Sequence, residues 1–175
     1  MSTESPPAIG IDLGTTFSVV ARLDDKGQPV TLVNAEGDRL TPSVVLFDGD
    51  DVIVGKESLK ALASEAEHVA ECSKRDMGYR VFHKILEGKQ YPPEVIEAWI
   101  LNKLHTDTVA RIGQFNKVVI TVPAYFDEVR RKATQDAGYM AGFEVMDIIN
   151  EPTAFFVYIF VCSFIMAPEG KSHKP

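Results

Sequence analysis

Asp12-Leu13-Gly14-Thr15-Thr16 places one carboxylate, one glycine and two hydroxyls within five positions, directly after the apolar run 9–11. A strand over 9–13 would carry the Asp12 carboxylate to its end, just before a turn. Gly14 lets the backbone bend sharply and come close to a ligand. The hydroxyls of Thr15 and Thr16, with the N–H groups of the turn, could grip phosphate oxygens as backbone nests do. Asp12 would then hold a cation through water, because Mg²⁺ keeps much of its hydration shell and shares phosphate oxygens. On these residues alone, a plain turn between two core strands is an equal reading. No Gly-Lys-Ser/Thr follows, which excludes a Walker loop.

Three other stretches carry charge where chemistry could use it. Lys74-Arg75 lies in the aperiodic segment 72–78, where adjacent cations are ordinarily solvated. Arg130-Arg131-Lys132 falls in the first turn of a predicted helix, the unfavourable end of the dipole for cations; such local conflicts tend to sit at functional sites. Glu151 follows a predicted strand and precedes Pro152, so it either opens a helix or stands at the strand end where open α/β sheets place their sites.

The elements that must position these groups read as follows. Strands are predicted at 9–13, 18–23 and 30–33, the last two joined by the turn 24–27, which gives a β-meander around the Asp12 turn. Thr41-Pro42-Ser43 leads into a strand at 44–47, followed by a turn and a strand at 52–54. Leu59, Ala63 and Ala66 mark one face of a short helix, and 79–86 reads as an extended segment. Pro92-Pro93 opens the best-defined helix, with Ile96, Ile100 and Leu104 recurring at four-residue spacing and Gly113 as its C-cap. Trp99 on it reads as packing. Residues 117–122 are a β-branched run that predicts a buried strand. Asp127 or a near neighbour caps the next helix, which runs to about 141 and whose buried face is predicted as Val129, Ala133, Ala137 and Ala141. A strand at 144–149 follows Gly142.

A chain of 175 residues suffices for one domain with a sizeable core. The apolar share of 45%, charged share of 25% and net charge of −7 describe a globular protein, and that charge argues against a nucleic-acid surface. Cys72 and Cys162 form no disulfide framework, which suits a reducing cytoplasm. His68, His83, His105 and His173 show no metal-ligand spacing and read as surface or packing residues. Residues 1–7 form a polar tail without the apolar core of a signal peptide.

Taken together, Ile9 to Thr16, Thr41-Pro42-Ser43, Lys74-Arg75, the I-T-V-P-A-Y-F run at 120–126, the R-K-A-T-Q-D-A-G run at 131–138 and the I-I-N-E-P-T-A run at 148–154 resemble, in order and spacing, the start of the ATPase domain of DnaK-type heat-shock protein 70 chaperones. The resemblance covers roughly residues 8–154. It implies an actin-like, ribonuclease-H-like α/β fold, of which this stretch is the first lobe, a mixed sheet with flanking helices. In that family ATP or ADP with Mg²⁺ lies in the cleft between two lobes. Carried over, Asp12 would hold Mg²⁺ through water, and Gly14, Thr15, Thr16 and the backbone of Phe17 would contact the phosphates; Phe17 departs from the Asn or Tyr frequent there. Lys74 resembles the lysine that steadies the γ-phosphate and attacking water, an electrostatic role. Glu151 resembles the carboxylate acting through water near Mg²⁺. Pro123 and Arg131 resemble a pair coupling nucleotide state to the substrate domain. The implied partners are unfolded polypeptide clients, a J-domain co-chaperone and a nucleotide-exchange factor, with no nucleic acid and no membrane.

The resemblance stops after Ala154. Residues 155–166 are an apolar, aromatic run, followed by a polar end at 169–175. The run is too short for a membrane span, which takes about 20 residues. Bulky rings at a close helix contact would overpack it by about 1–3 kcal/mol per site. A truncated or frame-shifted gene end is the favoured source of such a run, a helix capping a fragment the other. No second phosphate loop, adenosine loop, second lobe or peptide-binding domain can be read, so ATP turnover by this stretch alone is expected at or near background. The competing readings are a non-catalytic remnant or interaction fragment of such a chaperone, an actin-like filament protein and a sugar kinase. The last needs a sugar-binding insertion that is not visible.

Overall fold

The computed structural model describes residues 9–151. The tail at 1–7, the end of the 148–154 run, Cys162, His173 and the segment 155–175 lie outside them, with the expectations attached to each.

Nine strands and three helices occur among the described residues: β1 (Ile9–Asp12), β2 (Phe17–Leu23), β3 (Pro29–Thr31), β4 (Thr41–Pro42), β5 (Val44–Asp48), β6 (Asp51–Val54), α1 (Lys56–Ala61), β7 (Val69–Glu71), α2 (Pro93–Ile112), β8 (Lys117–Val122), α3 (Glu128–Met140) and β9 (Glu144–Asn150). The main sheet has the order β3-β2-β1-β8-β9, with the short β4 added to β2. The predicted meander is there: β2 runs antiparallel to both β1 and β3. Beyond it the sheet turns parallel, β1 beside β8 and β8 beside β9. The result is the mixed sheet expected.

Parallel strands covered on both faces must be apolar throughout. β8 meets that demand except at Thr121, with every residue from Val118 to Val122 buried and the Thr121 hydroxyl satisfied by Asp12. The core joins Ile9, Ile11, Val118 and Ile120 of the sheet to Ile96, Ile100, Leu101 and Leu104 of α2. Pro92 is the N-cap of α2, and Gly113, at φ 85°, is its C-cap. Trp99 packs on Phe47 and Tyr91, ring centroids 5.2 and 5.4 Å away.

Several expectations are corrected. Helix α1 ends at Ala61, so Ala63 and Ala66 fall beyond it, and its buried residue is Ser58 while Leu59 is exposed. The segment 79–86 is a series of bends, held by buried Phe82 and Leu86 and by one isolated bridge from Leu86 to Lys89. Strand β7 was not foreseen. Three residues give no readable period, and it exists because β5 pairs with it, making a separate sheet of order β6-β5-β7.

The predicted buried face of α3 holds at Ala137 and Ala141, both in the core, and at Ala133, which packs beside Val122 and Phe126, but it fails at Val129. Thr134, Ala137 and Gly138 are buried, Ala141 is the buried C-cap, and Val129 is 62% exposed. A Cβ on Gly138 would lie 2.4 Å from Val145 Cγ2 and 3.2 Å from Ile120 Cδ1. The helix therefore rests on the sheet through Gly138 together with the predicted alanines. Thr134 can be buried there because its hydroxyl donates to the Arg130 carbonyl at 2.9 Å.

Candidate functional site

Asp12, Val122 and Asn150 are the last residues of the three parallel strands β1, β8 and β9. In register, Asp12 pairs with Thr121, and Thr121 with Ile149. The candidate residues thus gather at the carboxyl end of the parallel half of the sheet, where open α/β sheets carry their sites.

Asp12 is exposed, and its Oδ1 accepts a hydrogen bond from Thr121 Oγ1 at 2.6 Å. Its second oxygen has no protein partner among the described residues. One oxygen is held and one is free, an arrangement suited to a hydrated cation. Sequence reasoning missed Thr121, although its place in a parallel β-branched run was the available signal.

After Asp12 the chain turns through residues 13–16. A Cβ on Gly14 would lie 2.0 Å from the Phe17 carbonyl oxygen, so only glycine fits this backbone. The turn is clamped from behind by Ser43. Its amide donates to the Thr16 carbonyl at 2.9 Å, and its hydroxyl donates to the Gly14 carbonyl at 2.8 Å. Buried Ser18 completes the chain, its hydroxyl 2.9 Å from that of Ser43. Residues 41–43, read in sequence as the entry to a strand and as one of the matched motifs, are the brace of this turn. The hydroxyls of Thr15 and Thr16 remain without protein partners among the described residues. The Phe17 ring, 41% exposed, lines an open groove with Leu40, Pro42 and Leu59.

Lys74 and Glu151 come together. Lys74 sits on a 3₁₀ turn, Ser73–Asp76, and its side chain is 3% exposed, which overturns the expectation of a solvated cation for it. Its ammonium donates to Glu151 Oε1 in an ion pair. It also stands 5.9 Å from the centroid of the Phe126 ring. Arg75, beside it, is exposed as expected. No hydrogen bond or ion pair joins the Lys74–Glu151 pair to the turn at 14–16 among the described residues.

The cations at the start of α3 have partners. Asp127 caps the helix by accepting from the Arg130 amide at 3.0 Å. Arg130 Nε donates to the Met77 carbonyl at 3.1 Å, at the end of the turn that carries Lys74. Arg131 donates to the Phe126 and Ile148 carbonyls at 3.3 and 3.2 Å and to Asn150 Oδ1. It thereby ties the helix start to the strand end that carries Glu151. Pro123 and Arg131 are linked through one residue, since the Phe126 amide donates to the Pro123 carbonyl at 3.0 Å. Only Lys132, paired with Asp136 on the surface, matches the solvated expectation.

Behind Lys74 lies a residue that sequence reasoning missed. Glu97 of α2 is 1% exposed, and Ser73 Oγ donates to its Oε1 at 2.7 Å. Desolvation by burial pushes its carboxyl up to about 7, against the opposing pull of the Ser73 hydrogen bond and the Lys74 charge. Its position four residues before Leu101 and seven before Leu104, on the buried face of α2, was the available signal.

The histidines serve structure. His105 packs edge-on against Phe115 and Phe143, His83 lies 2.6 Å from Asp76 Oδ2, and His68 pairs with Glu87.

With this geometry in place, comparison with known proteins decides the family. The Hsp70 protein family matches residues 8–87 and 81–158. The chain belongs to the Hsp70 family. It is 51% identical over 148 residues to the chaperone protein DnaK of Mycoplasma mycoides, covering 83% of this chain and 24% of that protein. It is 43% identical over 158 residues to the chaperone protein DnaK of Thermotoga petrophila and to that of Thermotoga maritima, covering 88% of this chain and 26% of each. The chain therefore spans about a quarter of the length of these relatives. Its sheet and helices belong to the actin-like ATPase fold of Hsp70 proteins. The sugar-kinase and filament readings are set aside by this family match. Among the described residues no helix is long and apolar enough to cross a membrane.

Proposed function

We propose that this chain forms one wall of an Hsp70 nucleotide site, binding the phosphates of ATP or ADP with Mg²⁺. The observation that carries the reading is the convergence, at one sheet end, of the Asp12 carboxylate, the Gly14–Thr16 backbone with its unpartnered hydroxyls, and the Lys74–Glu151 pair. The Gly14 turn approaches phosphate oxygens with N–H groups and the Thr15 and Thr16 hydroxyls, and Phe17 adds its amide. Asp12, oriented by Thr121, holds Mg²⁺ through water. Among the described residues no three acidic, His or Cys side chains come together, so phosphate oxygens and water would complete the shell. Lys74 offers the positive charge that transferring phosphoryl oxygens require, and Glu151 holds that ammonium in place and accepts hydrogen bonds from nearby water.

Phosphoryl transfer depends on groups fixed on both sides of a cleft. One wall supports binding, so turnover by this chain alone is expected at background. In the complete chaperone, the cycle would act on unfolded polypeptide with a J-domain co-chaperone and a nucleotide-exchange factor in the cytoplasm, and Pro123 and Arg131, joined through Phe126, would relay the nucleotide state. Isothermal titration with Mg-ATP tests the reading. Saturable binding, lost in the Asp12→Asn, Lys74→Ala double variant, supports it. Equal titration of both proteins, or none of either, leaves the non-catalytic interaction fragment as the better description.

A further inference from the structure

Lys74 is nearly sealed from solvent, yet the reading above asks it to meet a phosphate group. Its ammonium has three N–H donors, and Glu151 takes one of them. The turn that presents it is short, and its neighbour Ser73 is anchored on Glu97 of α2. Glu97 is fully buried, and its Oε2 has no hydrogen-bond partner among the described residues. A buried acid with one unpartnered oxygen is costly as an anion and much less so as a neutral carboxyl. Lys74 is the charged group acting on it; β5, β6 and α3, which also pack on α2, contribute no charge that shifts it.

We propose that Glu97 is a positioning residue for Lys74: through Ser73 it holds the turn that presents the ammonium, and its charge state sets how strongly the Lys74–Glu151 pair draws an incoming phosphate group.

The charge count gives the direction. With Glu97 ionised, Glu97, Lys74 and Glu151 sum to one negative charge, and an arriving phosphate is repelled. With Glu97 neutral the sum is zero, and the ammonium is shared with the phosphate at lower cost. Phosphate binding therefore draws a proton from solvent onto Glu97, and by linkage protonation of Glu97 tightens phosphate binding by the same factor. Burial places this exchange near neutral pH.

The proposal rests on the phosphate-wall reading, and its test separates the two. Mg-ATP is titrated into the wild-type chain and into Glu97→Gln from pH 6 to 8. Glutamine keeps the shape and the acceptor for Ser73 but cannot ionise. The two proteins should bind equally at pH 6, and Glu97→Gln should bind about 5-fold or more tightly at pH 8. The titration of ATP itself is common to both and cancels. Parallel affinities across the range overturn the proposal. If neither protein binds Mg-ATP, the phosphate-wall reading fails, and ¹³C NMR of the Lys74 ε-carbon decides this one. That signal should follow the ionisation of Glu97 in the wild type, stay flat in Glu97→Gln, and broaden in Ser73→Ala as the turn loosens. A Lys74 signal indifferent to both substitutions overturns the proposal.

Discussion

Lys74 and Glu151 stand 77 positions apart in the chain and form one ion pair, the lysine buried and the glutamate 37% exposed. The 3₁₀ turn brings the cation and the end of β9 brings the carboxylate. Arg130 fastens the first carrier to α3 and Arg131 the second. Two arginines at the electrostatically unfavourable end of a helix therefore brace a pair that neither of them touches. The energy they lose to the helix dipole is offset by the charged hydrogen bonds they donate to the Met77, Phe126 and Ile148 carbonyls.

Removing one partner of this pair strands the other. Glu151→Ala leaves the Lys74 ammonium buried without its acceptor, whereas Lys74→Met leaves only a partly hydrated carboxylate. Glu151→Ala should cost about 1–3 kcal/mol of stability, and Lys74→Met less. Urea denaturation at neutral pH measures both.

Glu97 gives stability a pH dependence of known sign. Its folded value of about 7 lies above the ordinary 4.5, so the folded state holds the proton more tightly than the unfolded one. This term is fully favourable below about 4.5 and is lost as pH rises to about 7. The loss is on the order of a few kcal/mol for a fully buried carboxyl. In urea titrations from pH 4.5 to 8, wild type should weaken relative to Glu97→Gln up to pH 7 and then run parallel to it.

Gly14 tests the turn. The added methyl of Gly14→Ala meets the Phe17 carbonyl at 2.0 Å, closer than any relaxed contact. The turn must open, the Ser43 bonds to Gly14 and Thr16 must lengthen, and stability should fall by about 1–3 kcal/mol. Mg-ATP affinity should fall with it. Calorimetric binding and urea denaturation on the same preparation report the two effects.

Arg131 tests the brace. Arg131→Lys keeps the charge but cannot span the Phe126 and Ile148 carbonyls and Asn150 together, because an ammonium lacks the planar fork. The substitution should destabilise by about 1–2 kcal/mol. Amide hydrogen exchange should quicken at Ile149 and Asn150 more than in the meander of β1 to β3. Uniform acceleration across the sheet would argue against a local brace.

Local residue order determined much of this protein. The β-branched run gave β8 to the residue, Pro92 and Gly113 bounded α2, and Asp127 capped α3, because each feature depends on neighbours within a few positions. The composition of the Asp12 turn and the matched motifs pointed to the Hsp70 family without coordinates. Tertiary structure decided the rest, because burial depends on what packs opposite. Whether Lys74 or Arg75 was solvated could not follow from their adjacency; the turn packs on α2 with Lys74 buried and paired to Glu151, and leaves Arg75 outside. The helical period found Ala137 and Ala141 on the buried face of α3, but the close approach of Gly138 to Val145 and the exposure of Val129 depend on the sheet beneath. β7 exists only as a partner for β5. Glu97 lay on the apolar face of α2 in plain sequence, but that the charge it meets is Lys74 was fixed only when the turn Ser73–Asp76 was laid against that helix.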